Sequence, residues 1–130
     1  MGHAAAIGRL LELWEAGRLE GEEAEQFFHP EIEWLEPPET IGRNVVTGPD
    51  DARASLANWN DQFDSLRVET TEMREEGDRV LHAIQQFARA RGSDVEIPAE
   101  LYMVWWFRAG RAARMEMYNT REQAEEAFAR

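Results

Sequence analysis

The sequence contains no cysteine. That excludes disulfides, thiolate metal sites and a cysteine nucleophile. It also contains no lysine, so all 14 basic residues are arginine, set against 26 acids for a formal net charge of −12. An acidic chain repels phosphate backbones and anionic lipid, so neither nucleic acid nor a membrane surface is an expected partner. No run approaches the ~20 apolar residues of a membrane span. The N-terminus shows no charged region followed by an apolar stretch and a cleavage site. A cytoplasmic protein is the default expectation. There are only three histidines. They form no metal-ligand spacing with the acids, and no Gly-rich phosphate loop occurs. The expectation is no metal and no cofactor.

Apolar side chains are plentiful, at 43% of 130 residues. A chain of this size and composition forms one domain, spanning 1–130, and buries roughly two-thirds of its unfolded surface. Ile7, Leu10, Leu11 and Trp14 recur at helical spacing, and Gly17 stops that helix. Glu20 to Phe28 reads as a short acidic helix ended by His29-Pro30. Ile32, Trp34 and Glu36 share one face of a strand that Pro37-Pro38 terminates. Residues 37–48 read as a loop. Gly48-Pro49-Asp50-Asp51 opens a helix running to about Phe63, with proline at its first position and acids at its positive end. Leu66 to Arg74 is a strand whose apolar phase slips between Val68 and Met73, the mark of a bulge. A strand over 79–90 follows, and Thr120 with Gln123 resembles a capping box for a final short helix.

The segment Glu96 to Tyr118 is the most informative. Two β-rich runs flank a turn at Ala109-Gly110, a hairpin signal. In the first run Leu101, Met103, Trp105 and Phe107 alternate with Tyr102, Val104 and Trp106. A strand with one wet face would alternate apolar with polar. Both faces of this one are expected to be covered, one by the core and the other by a second copy. The expected homodimer face carries Phe87, Tyr102, Val104 and Trp106, because large apolar patches are rare on monomers.

Helices followed by antiparallel strands give an α+β fold: a cone-shaped, curved antiparallel sheet packed against three N-terminal helices, with a short C-terminal helix. This order, together with Phe27-Phe28-His29-Pro30-Glu31-Ile32-Glu33-Trp34, Gly48-Pro49-Asp50-Asp51 and Val104-Trp105-Trp106-Phe107-Arg108-Ala109-Gly110-Arg111, resembles the nuclear transport factor 2-like superfamily. Within it the chain is most similar to the SnoaL-like branch, related to polyketide cyclases and ketosteroid isomerases. The resemblance implies a cone cavity lined by Trp14, Phe28, Trp34, Ser55, Trp59, Phe63, Gln86, Met103, Trp105, Met117 and Asn119. It also implies a departure. Where ketosteroid isomerases carry the two donors that hold an enolate oxygen, this chain has Leu10 and Met103, and neither donates a hydrogen bond. Their carboxylate base falls on Glu36.

Two functions follow. One is binding of a small apolar molecule, polycyclic compounds included, among the tryptophans, with Gln86, Asn119 and Ser55 orienting it. The other is metal-free acid–base catalysis (isomerase, cyclase or dehydratase-like), with Glu36 as base and His82 as acid or oxyanion donor. Each candidate has a plainer role. Glu36 reads more readily as a solvated glutamate at a strand end, His82 as a hydrogen-bonded core histidine, and Trp14 as a packing residue. The lost donors at Leu10 and Met103 tip the reading toward binding, with catalysis open.

Overall fold

A computed structural model describes residues 2–19, 21–35 and 45–130. The first helix, α1 (His3–Glu15), buries Ile7, Leu10, Leu11, Leu13 and Trp14. It ends where Gly17 takes a left-handed φ of 68°. Arg18 N–H then bonds Leu13 O at 2.8 Å and Gly17 N–H bonds Trp14 O at 3.1 Å, the paired bonds of a Schellman cap. A second short helix, α2 (Glu22–Phe27), runs directly into strand β1 (Phe28–Leu35). Strand β2 (Val45–Thr47) pairs antiparallel with β1 and leads into α3 (Pro49–Asn60). That helix has Pro49 in its first turn with Asp50 and Asp51, as the sequence predicts, and stops at Asn60 rather than Phe63.

The long strands β3 (Phe63–Glu76), β4 (Arg79–Ala90), β5 (Glu96–Arg108) and β6 (Arg111–Tyr118) form an antiparallel meander, and α4 (Arg121–Phe128) closes the chain. The sheet has the order β2-β1-β6-β5-β4-β3, with β1 and β6 parallel. The predicted bulge is present: the β3–β4 register shifts between Thr70 and Glu72. At the β5–β6 hairpin Ala109 and Gly110 both have positive φ, 53° and 78°, the geometry of a two-residue primed turn. A further register shift follows Trp106. Such extra residues bend strands and curve the sheet around the helices.

The inner face of the sheet and helices α1–α3 enclose the main core, which includes Phe28, Trp34, Ile84, Met103, Trp105, Met115 and Met117. The outer face carries a second cluster, where Ala124, Ala127 and Phe128 of α4 lie on Leu81, Ala83, Tyr102 and Val104. Thr120 Oγ1 caps α4 by accepting from Gln123 N–H at 3.2 Å. Arg74 and Arg121 clamp the helix through Glu125 at 2.6 Å and Glu72 at 2.7 Å.

Two expectations change here. Val45–Thr47 was expected within a loop and is an edge strand, only three residues long. The outer face was expected to be covered by a second copy, yet Val104 is 0% exposed and Tyr102 8% because this chain's own α4 covers them. Trp106 is half-buried against the same cluster, and Phe87 is half-buried with the Arg67 guanidinium 4.2 Å over its ring.

Candidate functional site

Strand alternation decides which side chains enter the cone. On β4 the inner set is Val80, His82, Ile84, Gln86 and Ala88, all buried. On β5 Met103 and Trp105 face the same way, opposite His82 and Val80 respectively. Trp34 of β1 and Trp105 of β5 flank Met115 of β6 in register. Their indoles meet edge to face, with centroids 5.8 Å apart and an interplanar angle of 78°. Phe28 continues the wall at 6.1 Å from Trp34, and Phe27 at 5.6 Å from Trp105. Edge-to-face pairs of this kind are each worth about 1 kcal/mol beyond the area they bury.

The hydrogen bonding of these rings divides them. Trp14 donates to Leu56 O at 3.2 Å, tying α1 to α3, so its role is structural. Trp59, half-buried at the end of α3, donates to Gln86 Oε1 at 2.6 Å and stacks edge-on with Phe63 at 5.7 Å. Trp34 and Trp105, each 1% exposed, leave their indole nitrogens without a partner. His82, 0% exposed, places Nε2 3.0 Å from Thr70 Oγ1 and leaves Nδ1 without a partner. Burial lowers the His82 pKa from 6.5 to about 4, so the ring is neutral near pH 7.

The remaining expected site residues fall as follows. Met103 and Met117 are buried in the cone, and Ser55 is half-buried on α3. Asn119 is exposed in the turn between β6 and α4. Glu36 lies outside the described residues. Among those described, the buried polar or charged side chains are His82, Gln86 and Glu116. Glu116 lies opposite Val104 on the outer face. There Arg114 donates to it at 2.7 Å, Tyr118 at 2.6 Å and Arg130 at 3.1 Å. Burial alone would raise the Glu116 pKa, but the Tyr118 and Arg114 hydrogen bonds and the nearby arginine charges hold it below the usual range. No buried carboxylate among the described residues therefore enters the cone.

Sequence reasoning missed Thr70 as the partner of His82. The signal was present in the phase slip of β3, because the bulge beside Thr70 resets which residues face inward. It also missed the Glu116 cluster, where three donors converge from β6 and the C-terminal end of the chain. Among the described residues no group of three or more His, Asp or Glu side chains could hold a metal ion. No helix among them is long and apolar enough to cross a membrane. A groove of about 710 Å³ between α2 and α3, lined by Glu22, Glu25, Asp50 and Arg53 among others, is open and polar-rimmed and lies apart from the tryptophan wall.

A six-stranded curved sheet with three helices on one face and a wall of aromatics between them defines a small cone-fold domain. The chain belongs to the SnoaL-like domain family, whose model matches residues 7–115. No curated protein matches it in sequence. Among solved structures it is similar to TerC co-crystallised with polyporic acid, at 22% identity, covering 97% of each chain with a TM-score of 0.75. It is also similar to a SnoaL-like polyketide cyclase, so described, from Jannaschia, at 15% identity over 99% of this chain and 96% of that one, with a TM-score of 0.71. A protein of ketosteroid isomerase-like fold from Catenulispora acidiphila, in complex with trimethylamine, matches at 13% identity over 86% and 85% with a TM-score of 0.66. At these identities the likeness is one of fold.

Proposed function

We propose that this chain binds a small, flat, apolar molecule, with polycyclic compounds as the larger cases, in the cone between α1–α3 and the sheet. The observation that carries this reading is the wall built by Phe28, Trp34 and Trp105; Trp59, half-buried, lies farther along the sheet, where it bonds Gln86. Planar rings stack and edge-pair with such a wall, and few polar groups are needed to orient them. A neighbour of the same fold crystallised with polyporic acid and another described as a polyketide cyclase support it. The test is a fluorescence titration with a planar apolar probe. Trp59→Ala is expected to weaken binding by about tenfold, the worth of roughly one aromatic contact. Its unfolding midpoint should change little, because the side chain is only half-buried. If no planar apolar probe binds the wild-type protein up to its solubility limit, the reading is wrong.

Metal-free acid–base chemistry is the second reading, with Glu36 as base. Its one structural support is His82, a neutral imidazole with a spare nitrogen inside the cone. Glu36→Gln abolishing turnover of a carbonyl substrate, with binding intact, would place this reading first. Self-association completes the proposal and rests on Phe87 and Trp106, the two outer-face aromatics that α4 leaves half-buried. Light scattering that returns only the 15.0 kDa chain at tens of micromolar removes it.

A further inference from the structure

We infer that α4 is a displaceable cover over a self-complementary surface of the sheet, and that the partner of this surface is a second copy of this chain. The inference rests on the self-association reading above and names the surface involved and what controls access to it.

The cover is held more by charge than by apolar contact. Helix α4 has eight residues and buries Ala124, Ala127 and Phe128, two of them merely alanines. Its other fixings are arginines. Arg74 meets Glu125 at 2.6 Å, Arg121 meets Glu72 at 2.7 Å, and Arg130, just beyond the helix, meets Glu116 at 3.1 Å. Arg79 donates to Arg130 O at 2.7 Å. Ion pairs between partly exposed side chains shift an equilibrium only a few-fold each. Open grooves flank the helix, one of about 520 Å³ beside Arg74 and Arg79 and one of about 300 Å³ beside Tyr118 and Arg130. A helix this short is marginal in water on its own, so release from the sheet also melts it. Segments with so few apolar contacts open locally, without global unfolding.

The surface beneath is matched to itself. One row of outward-facing residues crosses β3, β4, β5 and β6 in register as Arg74, Leu81, Val104 and Glu116. The next row reads Glu76, Arg79, Trp106 and Arg114. A two-fold axis lying along the strands, between β4 and β5, exchanges the two halves of each row. It sets Arg74 of one copy against Glu116 of the other, and Leu81 against Val104. In the next row it sets Glu76 against Arg114, and Arg79 against the Trp106 ring. Each charge then meets its opposite or an aromatic face around an apolar centre, as a contact between identical patches requires. Sheets pack face to face in this aligned way. Displacing α4 also takes Glu125 from Arg74 and Arg130 from Glu116. A second copy replaces both lost partners at once. A partner of one charge sign would satisfy one half of the row and repel the other, which is why the surface selects its own kind.

The test uses the full chain carrying Glu125→Gln, which removes the Arg74 contact and leaves the sheet unaltered. Amide hydrogen exchange in α4 should quicken about threefold, the worth of one partly exposed ion pair. Both copies must open before they dock, so the dimer dissociation constant should fall by the square of that factor, about tenfold. Sedimentation equilibrium reads it. Adding Arg74→Glu keeps α4 loosened but sets a glutamate against Glu116 of the second copy, so the dissociation constant should return to the wild-type value or rise above it. Faster exchange in Glu125→Gln without tighter dimerisation overturns the inference and the outer-face self-association reading together. Unchanged exchange shows that charge does not hold the cover, and overturns the inference alone. So does a double variant that dimerises as tightly as Glu125→Gln, or a wild-type dimer that neither change affects. In those last cases the copies meet elsewhere, and self-association stands.

Discussion

Trp105→Ala is expected to destabilise the fold by about 3–5 kcal/mol, the range for truncating a large buried aromatic. Trp105 is 1% exposed and touches both Trp34 and Phe27 edge to face. Alanine would leave a cavity between strands that a hydrogen-bonded ladder prevents from closing. Trp105→Phe should cost far less, within about 1 kcal/mol, because two effects oppose each other. The smaller ring loses contact area, but it also removes an indole N–H that has no partner, and an unpaired buried donor costs about 1–3 kcal/mol. Urea unfolding of the wild type and both variants checks this. A phenylalanine variant as damaged as the alanine one would mean that the indole nitrogen is satisfied in solution, and that its pairing contributes to stability. The comparison bears on function, because a donor kept unpaired at a cost to stability is how a site is maintained against the pressure for a well-satisfied core.

The architecture was legible in the sequence wherever periodicity was strong. The run 79–90 is a strand with the predicted faces, and His82, Ile84 and Gln86 point inward together. The bulge in β3 was visible as a slip in apolar phase, and the hairpin turn as Ala-Gly between two β-rich runs. What escaped were effects of distance along the chain. Val45–Thr47 is β-branched enough to be a strand, but three residues carry no period, and its partner β1 decides the matter. Tyr102 and Val104 were correctly placed on the outer face. Their cover comes from α4, whose only apolar residues there are Ala124, Ala127 and Phe128, too few to announce a docking surface.

The candidate site was legible as a residue set and not as chemistry. Five tryptophans appear in the sequence, and nothing in it separates those that find partners from those that do not. That division depends on side-chain reach across the fold. Leu56 O takes the indole of Trp14 and Gln86 takes that of Trp59, contacts 42 and 27 residues apart. The resemblance pointed to Leu10 and Met103 as positions where donors are missing. The structure places an indole close to the second of these, since Trp105 shares the inner face of β5 with Met103 two residues before it.

Acid should unfold this protein early, and His82 should be the reason. Its folded-state pKa of about 4, against an ordinary 6.5, means that the folded chain binds the proton less tightly than the unfolded chain. Stability is therefore complete above 6.5, falls as pH drops through the window from 6.5 to 4, and levels off below it so far as this group is concerned. Linkage puts the loss at about 2 kcal/mol between pH 7 and 5 and about 3 kcal/mol by pH 4. Among the described residues no nearby charge offsets it. Met103 of β5 and Met73 of β3 lie directly across the ladder from His82, Thr70 offers only a hydroxyl, and Glu15 of α1 is engaged with Val68 N–H at 2.6 Å. The carboxylates held low by arginine, Glu23 and Glu72 on the surface and Glu116 under α4, lose their contributions at lower pH, below the ordinary 4.5. The two processes thus separate on the pH axis. Urea unfolding at pH 7, 6 and 5 should show the slope in the wild type and a nearly flat profile in His82→Gln, which keeps a polar side chain that can reach Thr70 but has no proton to gain. A wild-type profile as flat as the variant's would mean that His82 reaches solvent or a counter-charge, and that the inner face of the sheet around it is not dry.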